Sequence, residues 1–354
     1  MKESLKAPSP EKLTARQVTR WHKKVLAVLL QWDYGIAARG ISIEKTSFYT
    51  NLQQLVDVVE PLWYDDYLYN PAALQELVIE RAREFQPDLI FFVPYTDQFT
   101  LETLDALKLD YPTYAWFGDD QWRFDNFTAR YAPHFTHVST TDPWSIAKYR
   151  QLGIEPMLTQ WAGQPFAEER GALMDEGAFS HDVSFLGVAT KFRKWLVRRL
   201  GDAGIPVACF GAGWPNGRVD NEAMERIFRT SRINLNISNS VSHDIRFVLS
   251  APRTLLHYLR SQKRVEQMKA RNFEIPLAGG FQLTNYVPCL ERYLAIGDEV
   301  AVYTTPEECA GQVRFYLEHG EQRSKVAERG HLRALAEHTY RHRLETILER
   351  IWQG

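Results

Sequence analysis

The strongest constraint on the fold of this chain is an alternation of short, almost wholly apolar runs with longer amphipathic stretches. The apolar runs include K-V-L-A-V-L-L-Q-W-D from Lys24, P-D-L-I-F-F-V-P from Pro87, and the segments 112–117 and 137–140. Continuous apolar runs of about four to eight residues are typical of parallel strands that are buried on both faces. Helical spacing between the runs is predicted for L-Q-Q-L-V-D-V-V from Leu52 and for L-Q-E-L-V-I-E-R-A-R-E-F from Leu74.

A second series of the same kind follows the polar patch E-E-R-G-A-L-M-D-E-G. Its predicted strands are D-V-S-F-L-G from Asp182, I-P-V-A-C-F-G from Ile205, I-N-L-N-I-S from Ile233, and the later runs F-Q-L-T and V-A-V-Y, with R-K-W-L-V-R-R-L as a helix. Alternating strands and helices are typical of a doubly wound parallel sheet. We therefore predict an α/β protein with two Rossmann-like domains and a boundary near residues 164–177.

Size and composition agree with two domains and exclude some functions. A chain of 354 residues that is 45% hydrophobic and 13% aromatic is large enough to fill two cores. A net charge of -2 argues against a general nucleic-acid binder, which is usually strongly basic. The three cysteines are far apart and lack C-x-x-C spacing, so the sequence suggests neither a zinc site nor a disulfide framework.

The amino-terminal residues suggest a cytoplasmic protein. No segment approaches the roughly 20 apolar residues that cross a bilayer, and the first dozen residues lack the apolar core of a signal peptide. Residues 14–24 combine four cations with Val18 and Trp21, so a peripheral contact with an anionic membrane is one interpretation. A solvated helix that leads into the first strand is the other.

The segment from Glu266 to Thr284, E-Q-M-K-A-R-N-F-E-I-P-L-A-G-G-F-Q-L-T, carries the densest set of candidate ligand-binding residues. If Glu266 and Glu274 were both helical, they would lie within about 80° of each other. Cations and free backbone amides suit a diphosphate, and a carboxylate suits the two hydroxyls of a ribose. The segment therefore predicts a nucleotide-sugar site.

This run resembles the K-x-R-x-F-E-I-P-x-x-G-G-F-x-L-T pattern of the CgeB-like, or group 1, glycosyltransferases, which are related to the retaining family 4 enzymes. The tail resembles the same branch, with N-Y-V-P, then G-D-E-V-A-V-Y-T-T-P-E-E from Gly297, F-Y-L-E-H-G-E-Q-R from Phe315, and A-E-H-T-Y-R-H-R ending at Arg343. The matches keep the order and spacing of the family over roughly a hundred residues.

The resemblance implies the GT-B fold, in which two Rossmann-like domains face a central cleft. Residues 1–20 would be a flexible or helical extension, 21–165 the acceptor domain and 175–339 the donor domain, and residues 340–354 would return to the acceptor domain. The implied reaction moves a sugar from a nucleoside-diphosphate sugar to a hydroxyl group of a glycan, a lipid-linked molecule or a protein. It would need no cofactor and no metal, and two glutamates at this spacing favour retention of the anomeric configuration.

The resemblance also implies roles for the residues of the motif. Glu274 would bind the ribose and Glu266 would be the first glutamate of the two-glutamate motif, whereas Lys269 and Arg271 would neutralise the leaving diphosphate. Gly279 and Gly280 would end the helix beside the nucleotide. Solvated charges on a helix surface, or a capping role for Glu274, remain the alternatives.

A second source of cations is F-L-G-V-A-T-K-F-R-K, which follows the first predicted strand of the donor domain. Gly187 would form a tight turn there, and Lys191 and Arg193 would lie at a helix N-terminus, which suits a phosphate group. One glycine in a strand-to-helix turn is weak evidence by itself.

The best acceptor-side candidates lie in Y-A-W-F-G-D-D-Q-W-R-F-D, directly after a predicted buried strand. They are Asp119, Asp120, Trp122, Arg123 and Asp125, and CgeB-like chains often carry a similar run here. Mutual repulsion of adjacent carboxylates would raise the pKa of one of them and suit it to proton transfer. A divalent-metal site and an acidic capping loop are the alternatives.

Two loops add weaker candidates. The glycine loop after the first strand holds Asp33 and Glu44, at a place that often approaches the transferred sugar in this fold. His243 follows a predicted strand of the donor domain and would line the donor pocket. A nucleotide-sugar epimerase of the same fold, and a non-catalytic nucleotide-sugar-binding protein of envelope or spore assembly, remain alternative functions.

Overall fold

The computed structural model describes residues 20–166, 178–238, 242–263 and 265–354. The chain folds into two compact units. The first unit comprises the described residues up to Trp161 together with Tyr340–Gly354, and the second comprises Ala162–Thr339.

Each unit contains one sheet of parallel strands. The strands of the first sheet are β1 (Trp21–Leu29), β2 (Val56–Trp63), β3 (Leu89–Phe92), β4 (Thr113–Phe117), β5 (His137–Thr140) and β6 (Met157–Leu158), in the order β2-β1-β3-β4-β5-β6. Those of the second are β7 (His181–Leu186), β8 (Ala208–Phe210), β9 (Ser231–Asn236), β10 (Gln282–Asn285) and β11 (Ala301–Tyr303), in the order β11-β10-β9-β7-β8.

Helices connect the strands. They are α1 (Thr50–Leu55), α2 (Pro71–Phe85), α3 (Leu101–Asp110), α4 (Asp120–Arg123), α5 (Ala129–Tyr131), α6 (Ser145–Gln151), α7 (Lys191–Asp202), α8 (Asn221–Arg229), α9 (Ile245–Val248), α10 (Pro252–Arg260), α11 (Arg271–Leu277), α12 (Pro306–Glu318), α13 (Gly320–Glu337) and α14 (Tyr340–Trp352). Two π-helical segments, Glu44–Tyr49 and Phe124–Thr128, lie in the first unit.

The apolar runs form the strands because burial on both faces removes their side chains from water. All four residues of β3 are buried completely, and β4 is buried along its whole length. The predicted strands at 112–117 and 137–140 are confirmed as β4 and β5. The helix predicted from Leu74 is confirmed as part of α2.

The helix predicted over L-Q-Q-L-V-D-V-V is wrong in its second half. Helix α1 ends at Leu55, and the chain continues as β2 from Val56, which pairs in parallel with β1. Val56, Val58 and Val59 are β-branched and favour extended backbone. The sequence of this segment is compatible with a helix and with a strand, and pairing with β1 selects the strand.

Both sheets have the same strand order, 2-1-3-4-5 within each unit, with β6 added at the edge of the first sheet. In this order the chain winds one way from the first strand and the other way from the third. The crevice outside their carboxyl ends is the topological switch point, where doubly wound sheets bind ligands. The switch points are β1/β3 in the first unit and β7/β9 in the second.

Helix α14 packs within the first unit. The ring of Tyr340 lies 5.1 Å from that of Phe48, and the ring of Trp352 lies 5.6 Å from that of Trp21. These contacts join the end of the chain to the β1 side of the first sheet. Most of the segment 164–177, which the sequence suggests as a boundary, lies outside the described residues, as does most of the extension 1–20.

Candidate functional site

The first unit contains a cavity of about 180 Å³ at its switch point. Residues that follow β1 (Leu30 and Asp33), β3 (Val93, Pro94 and Tyr95) and β4 (Gly118 to Asp120) line it, with Tyr34, Ser42, Ile43, Glu44, Trp116, Phe117, Arg123, Phe127, Thr128 and Trp161. The cavity therefore occupies the place in the sheet where this topology positions a ligand.

Glu44 is the most strongly perturbed acid of this cavity. Its carboxylate is buried and accepts a hydrogen bond from the Leu30 backbone N–H, the only donor to it among the described residues. Burial raises the pKa of Glu44 to about 8, and the negative charges of Asp65 and Asp33 add to the shift. At neutral pH the side chain is therefore largely protonated.

Asp120 is also buried, but hydroxyl groups hold it firmly. Its carboxylate accepts from Thr128 Oγ1 at 2.7 Å, Thr140 Oγ1 at 2.6 Å and the Tyr149 hydroxyl at 2.8 Å. Burial raises the pKa of Asp120 to about 6, against the effect of these hydrogen bonds. The charge that adds to the shift is that of Asp142, so the predicted repulsion by Asp119 is not the cause.

Asp119 and Arg123, at the two ends of the short helix α4, line the same cavity. Asp119 precedes α4, and its carbonyl accepts from the Arg123 backbone N–H at 3.0 Å. The Arg123 guanidinium lies 4.0 Å from the centre of the Phe127 ring. Burial lowers the pKa of Arg123, and the nearby Asp119 carboxylate opposes that shift. The cavity thus holds one cation beside several carboxylates.

The predicted acceptor group does not converge as a whole. Asp33, Asp119, Asp120 and Arg123 line the cavity, whereas Trp122 and Asp125 are not among its lining residues. Asp125 is exposed and forms an ion pair with Lys148 at 2.8 Å. The sequence grouped these residues because they are adjacent, but the turn of the chain points them in different directions.

In the second unit, Arg193 lies at the β7/β9 switch point. Its Nε and Nη2 donate to the Ile237 carbonyl, at 3.1 Å and 2.7 Å, and its Nη1 donates to the Val188 carbonyl at 3.1 Å. These carbonyls follow β9 and β7, so the guanidinium joins the ends of the two central strands. Burial lowers the pKa of Arg193 to about 10, and the positive charge of Arg271 adds to the shift.

Helix α7 begins beside Arg193. Thr190 caps it by accepting from the Arg193 backbone N–H at 3.3 Å, and Lys191 is its first residue. The Lys191 side chain is exposed and donates to the Arg253 carbonyl at 3.4 Å. Gly187 lies where the chain leaves β7, and a Cβ atom at Gly211 would meet its carbonyl oxygen at 2.4 Å. The backbones of the turns at Gly187 and Gly211 therefore lie close together.

Helix α11 carries the motif residues Arg271 and Glu274. Arg271 Nη1 lies 2.8 Å from Glu274 Oε2, and both side chains are largely buried. The Arg271 guanidinium also lies over the Phe228 ring, 5.1 Å from its centre. The positive charge of Arg271 lowers the pKa of Arg193, so the two arginines bring positive charge to one region of the second unit.

The condition that Glu266 and Glu274 are both helical is not met, because α11 begins only at Arg271. Glu266 and Lys269 lie in the preceding loop, whose end is fixed by a hydrogen bond from the Lys269 backbone N–H to Asn272 Oδ1 at 3.0 Å. Helical spacing cannot show where a helix starts, and here a buried asparagine side chain takes the place of helical hydrogen bonding.

Glu266 nevertheless lies at the carboxyl edge of the second sheet. Its carboxylate accepts from Nδ2 of Asn285, the last residue of β10. Burial raises the pKa of Glu266 to about 7, with the Asn285 hydrogen bond and the charge of His243 acting in the opposite direction. His243 itself is exposed and pairs with the Tyr258 hydroxyl at 2.9 Å.

The glycine pair has two distinct structural roles. Gly279 follows α11 with φ of +79°, a conformation that L side chains rarely adopt. Gly280 is a packing position, because a Cβ atom there would lie 2.6 Å from Asn234 Nδ2 and 2.7 Å from the Phe228 carbonyl oxygen. The pair therefore ends the helix and sets β10 close to β9.

Sequence reasoning did not single out the aromatic lining of the first cavity. Trp116, Trp161 and Tyr95 come from three separate parts of the chain, so no local motif joins them. The indole N–H of Trp116 is buried and has no hydrogen-bond partner among the described residues. Within the same residues, no three His, Cys, Asp or Glu side chains are grouped closely enough to hold a metal ion.

Comparisons with known proteins agree with this architecture. Residues 192–349 match a family model described as glycosyl transferase-like. No curated protein matches the sequence. Three similar solved structures are each 11% identical to this chain. They are the sucrose-phosphate synthase of Thermosynechococcus elongatus (TM-score 0.60, covering 94% of this chain and 100% of that chain) and HepE of Anabaena in complex with UDP (TM-score 0.56, covering 94% and 100%). The third is a glycosyltransferase of Rickettsia africae (TM-score 0.59, covering 93% and 97%).

The fold is thereby defined as GT-B, an α/β architecture with two units of parallel strands, and the predicted fold class is confirmed. The match to the glycosyl transferase-like family covers most of the second unit and helix α14. Within the described residues, no helix has the length and apolar character that crossing a bilayer requires.

Proposed function

We propose that this chain is a CgeB-like glycosyltransferase that moves a sugar from a nucleoside-diphosphate sugar to a hydroxyl-bearing acceptor. The observation that carries the proposal is the partly buried guanidinium of Arg193 at the switch point, whose pKa is lowered further by the positive charge of Arg271 on the motif helix. Glu274 balances the charge of Arg271, but within the described residues Arg193 donates hydrogen bonds only to backbone carbonyls, so its partly buried charge is costly unless an anion balances it. A diphosphate is the anion that this fold and the family match support.

The backbone beside Arg193 supports the same ligand. Helix α7 has twelve residues, and its N-terminus lies at the switch point, where free backbone N–H groups and the helix dipole favour a negative charge. Arg193 is held by two strand-end carbonyls, so its charge is already in place before the ligand arrives. A fixed cation of this kind stabilises the leaving diphosphate without rearrangement.

Glu274 is the proposed ribose ligand. Its carboxylate forms an ion pair with Arg271 on the motif helix. An ionised carboxylate accepts hydrogen bonds from two neighbouring hydroxyls, the chemistry that a ribose presents. Among nucleotides, the UDP bound to the similar Anabaena HepE structure favours a uridine nucleotide here as well.

In this proposal the reaction uses no metal, because Arg193, Arg271 and Lys269 supply the positive charge that a divalent ion supplies in other enzymes. Glu266, whose carboxyl is partly buried at the sheet edge, is the residue proposed to contact the transferred sugar. Retention of the anomeric configuration is proposed from the two-glutamate resemblance. The acceptor is a glycan, a lipid-linked molecule or a protein, and the proposed location is the cytoplasm.

Binding of nucleoside diphosphates tests the donor site. We expect one diphosphate from a panel of UDP, GDP, ADP and dTDP to raise the melting temperature, since a ligand that binds the folded state stabilises it. Arg271→Ala should weaken the binding of that diphosphate at least tenfold. Arg329→Ala, which removes an exposed arginine of the same unit, should leave its affinity unchanged. The proposal fails if no diphosphate binds or if both variants behave as the wild type.

Product analysis tests the reaction itself. The wild type is incubated with the sugar nucleotide of the base identified by binding, and NMR of the anomeric proton follows the products. A new glycoside supports a transferase and gives its stereochemistry, whereas an epimerised sugar or its nucleotide would identify an epimerase. Tight binding without any turnover in a broad panel of acceptors would instead support a non-catalytic binding protein.

A further inference from the structure

The cavity of the first unit lacks an assigned ligand, and its walls define the chemistry of one. About 180 Å³ is below the roughly 300 Å³ at which pockets for drug-sized molecules begin, so one sugar ring or a similarly small polyol is the fitting size. Aromatic side chains form much of the lining, namely Tyr34, Tyr95, Trp116, Phe117, Phe127 and Trp161. Their faces suit the C–H surface of a sugar ring, whose hydroxyls can reach polar groups between them.

The polar groups of the cavity are acidic in excess. Four carboxyl groups, those of Asp33, Glu44, Asp119 and Asp120, face it with the single guanidinium of Arg123. A ligand with a phosphate or carboxylate would meet this excess of like charge and lose affinity. Hydroxyl groups, by contrast, donate well to carboxylates.

One buried donor lacks a partner inside the protein. The side chain of Trp116 is 2% exposed and lines the cavity, and its indole N–H has no acceptor among the described residues. This N–H is closed off from solvent, so Trp116 offers the cavity its aromatic ring rather than a hydrogen-bond donor.

Backbone irregularities border the same cavity. The π-helical segment Glu44–Tyr49 contributes Glu44, and the second one, Phe124–Thr128, contributes Phe127 and Thr128. Single turns of π-helix are rare and occur frequently at functional sites. Both irregular turns of the first unit therefore place side chains on this one cavity.

We propose that this cavity binds the acceptor as a single uncharged sugar or a polyol of similar size, and that its carboxyl groups together exclude phosphorylated and carboxylated acceptors. The inference rests on the proposed transferase function and adds the class of its acceptor. Glu44 adds to this exclusion when it is ionised, because within the described residues its carboxyl group has only the Leu30 amide as a hydrogen-bond donor.

Glu44 also gives the exclusion a dependence on pH. The charged and titratable groups that face it are Asp33 after β1, Tyr64 and Asp65 after β2, Tyr95 after β3, and Asp119, Asp120 and Arg123 after β4. At pH 7 the buried carboxyl is mostly neutral, and at pH 9 it is mostly ionised. Repulsion of an anionic sugar therefore increases over this interval.

The test compares methyl α-glucoside and glucose 6-phosphate as probes of the 354-residue chain. Saturation-transfer NMR and calorimetry are expected to show binding of the neutral sugar, and glucose 6-phosphate should bind at least tenfold more weakly at pH 7. The difference should widen at pH 9. In Glu44→Gln, which can still accept from Leu30, the difference at pH 7 should stay close to that of the wild type and should no longer widen at pH 9, an effect that a purely structural role would not produce.

A second variant keeps the test independent of buried substitutions. Tyr34 lines the cavity with a half-exposed side chain, so the Tyr34→Ala variant should fold and bind the neutral sugar about tenfold more weakly. Tyr69→Ala, at an almost fully exposed site, should leave this affinity unchanged. Preferred binding of glucose 6-phosphate, or binding of no probe, overturns the inference. UDP binding measured in the same samples distinguishes that outcome from failure of the transferase proposal, which concerns the second unit.

Discussion

Arg271 Nη1 lies 2.8 Å from Glu274 Oε2, one turn later on the motif helix. The pair places one positive and one negative side chain at the same point of the second unit. If the arginine serves the diphosphate and the glutamate serves the ribose, the two halves of a nucleotide are bound by neighbouring residues of one rigid helix. The two roles can be separated by experiment.

Glu274→Gln is expected to lower the affinity for UDP by about 10- to 100-fold, since hydrogen bonds to charged groups contribute about 1.5–3 kcal/mol. Affinity for pyrophosphate should not fall, because Arg271 loses its competing partner. Calorimetry with UDP, pyrophosphate and 2′,3′-dideoxy-UDP measures both effects. An equal loss for UDP and its dideoxy analogue would contradict the ribose role.

Glu44 predicts a decline of stability as the pH rises. Its pKa is about 8 in the folded protein against an ordinary value of 4.5, so between these values the folded state binds more protons than the unfolded state. The free energy of unfolding should therefore fall by up to about 1.4 kcal/mol per pH unit in this window. Urea denaturation at pH 5 to 8 measures the slope.

Glu44→Gln should flatten that slope, since glutamine does not titrate. Glu102→Gln, an exposed acid-to-amide change in the same unit, serves as its control and should keep the wild-type slope. Equal slopes in all three proteins would show that Glu44 does not bind its proton in the folded state.

Asp120 is predicted to be an anchor of the first unit. Asp120→Ala removes the acceptor of three buried hydroxyl groups, so we expect a loss of about 2–4 kcal/mol in the free energy of unfolding. Tyr149→Phe removes one of these bonds and should cost about 1 kcal/mol. Asp125→Ala, which breaks only an exposed ion pair, should change stability by less than about 1 kcal/mol. Equal effects at both aspartates would contradict this role.

The close approach at Gly280 predicts a steric effect. Gly280→Ala would place its Cβ atom 2.6 Å from Asn234 Nδ2 and 2.7 Å from the Phe228 carbonyl oxygen, so we expect destabilisation of about 1–3 kcal/mol. Gly311→Ala is the matched control, because it lies in helix α12 with nothing within 4 Å of the added atom. It should stabilise by about 0.5–1 kcal/mol. Thermal unfolding measures both effects, and a Gly280→Ala variant as stable as the wild type would contradict the prediction.

The strands of both units, apart from β2 and β6, were predictable because each is a local apolar run whose burial is its main driving force. β4 and β5 match their runs closely, and the α/β class follows from the alternation alone. The chemical character of the motif residues could also be predicted, since a cation and a carboxylate keep their character in any fold. The positions of these groups relative to each other could not be predicted from the sequence.

Tertiary contacts decided the rest. Pairing with β1 turned the segment after Leu55 into a strand, and the Asn272 side chain fixed the loop that keeps Glu266 out of helix α11. The cavity of the first unit collects Glu44, Trp116 and Trp161 from distant parts of the chain, and burial then raises the pKa of Glu44. Sequence determines which groups are present and which segments are apolar, whereas distance and desolvation, which set their chemistry, exist only after the chain has folded.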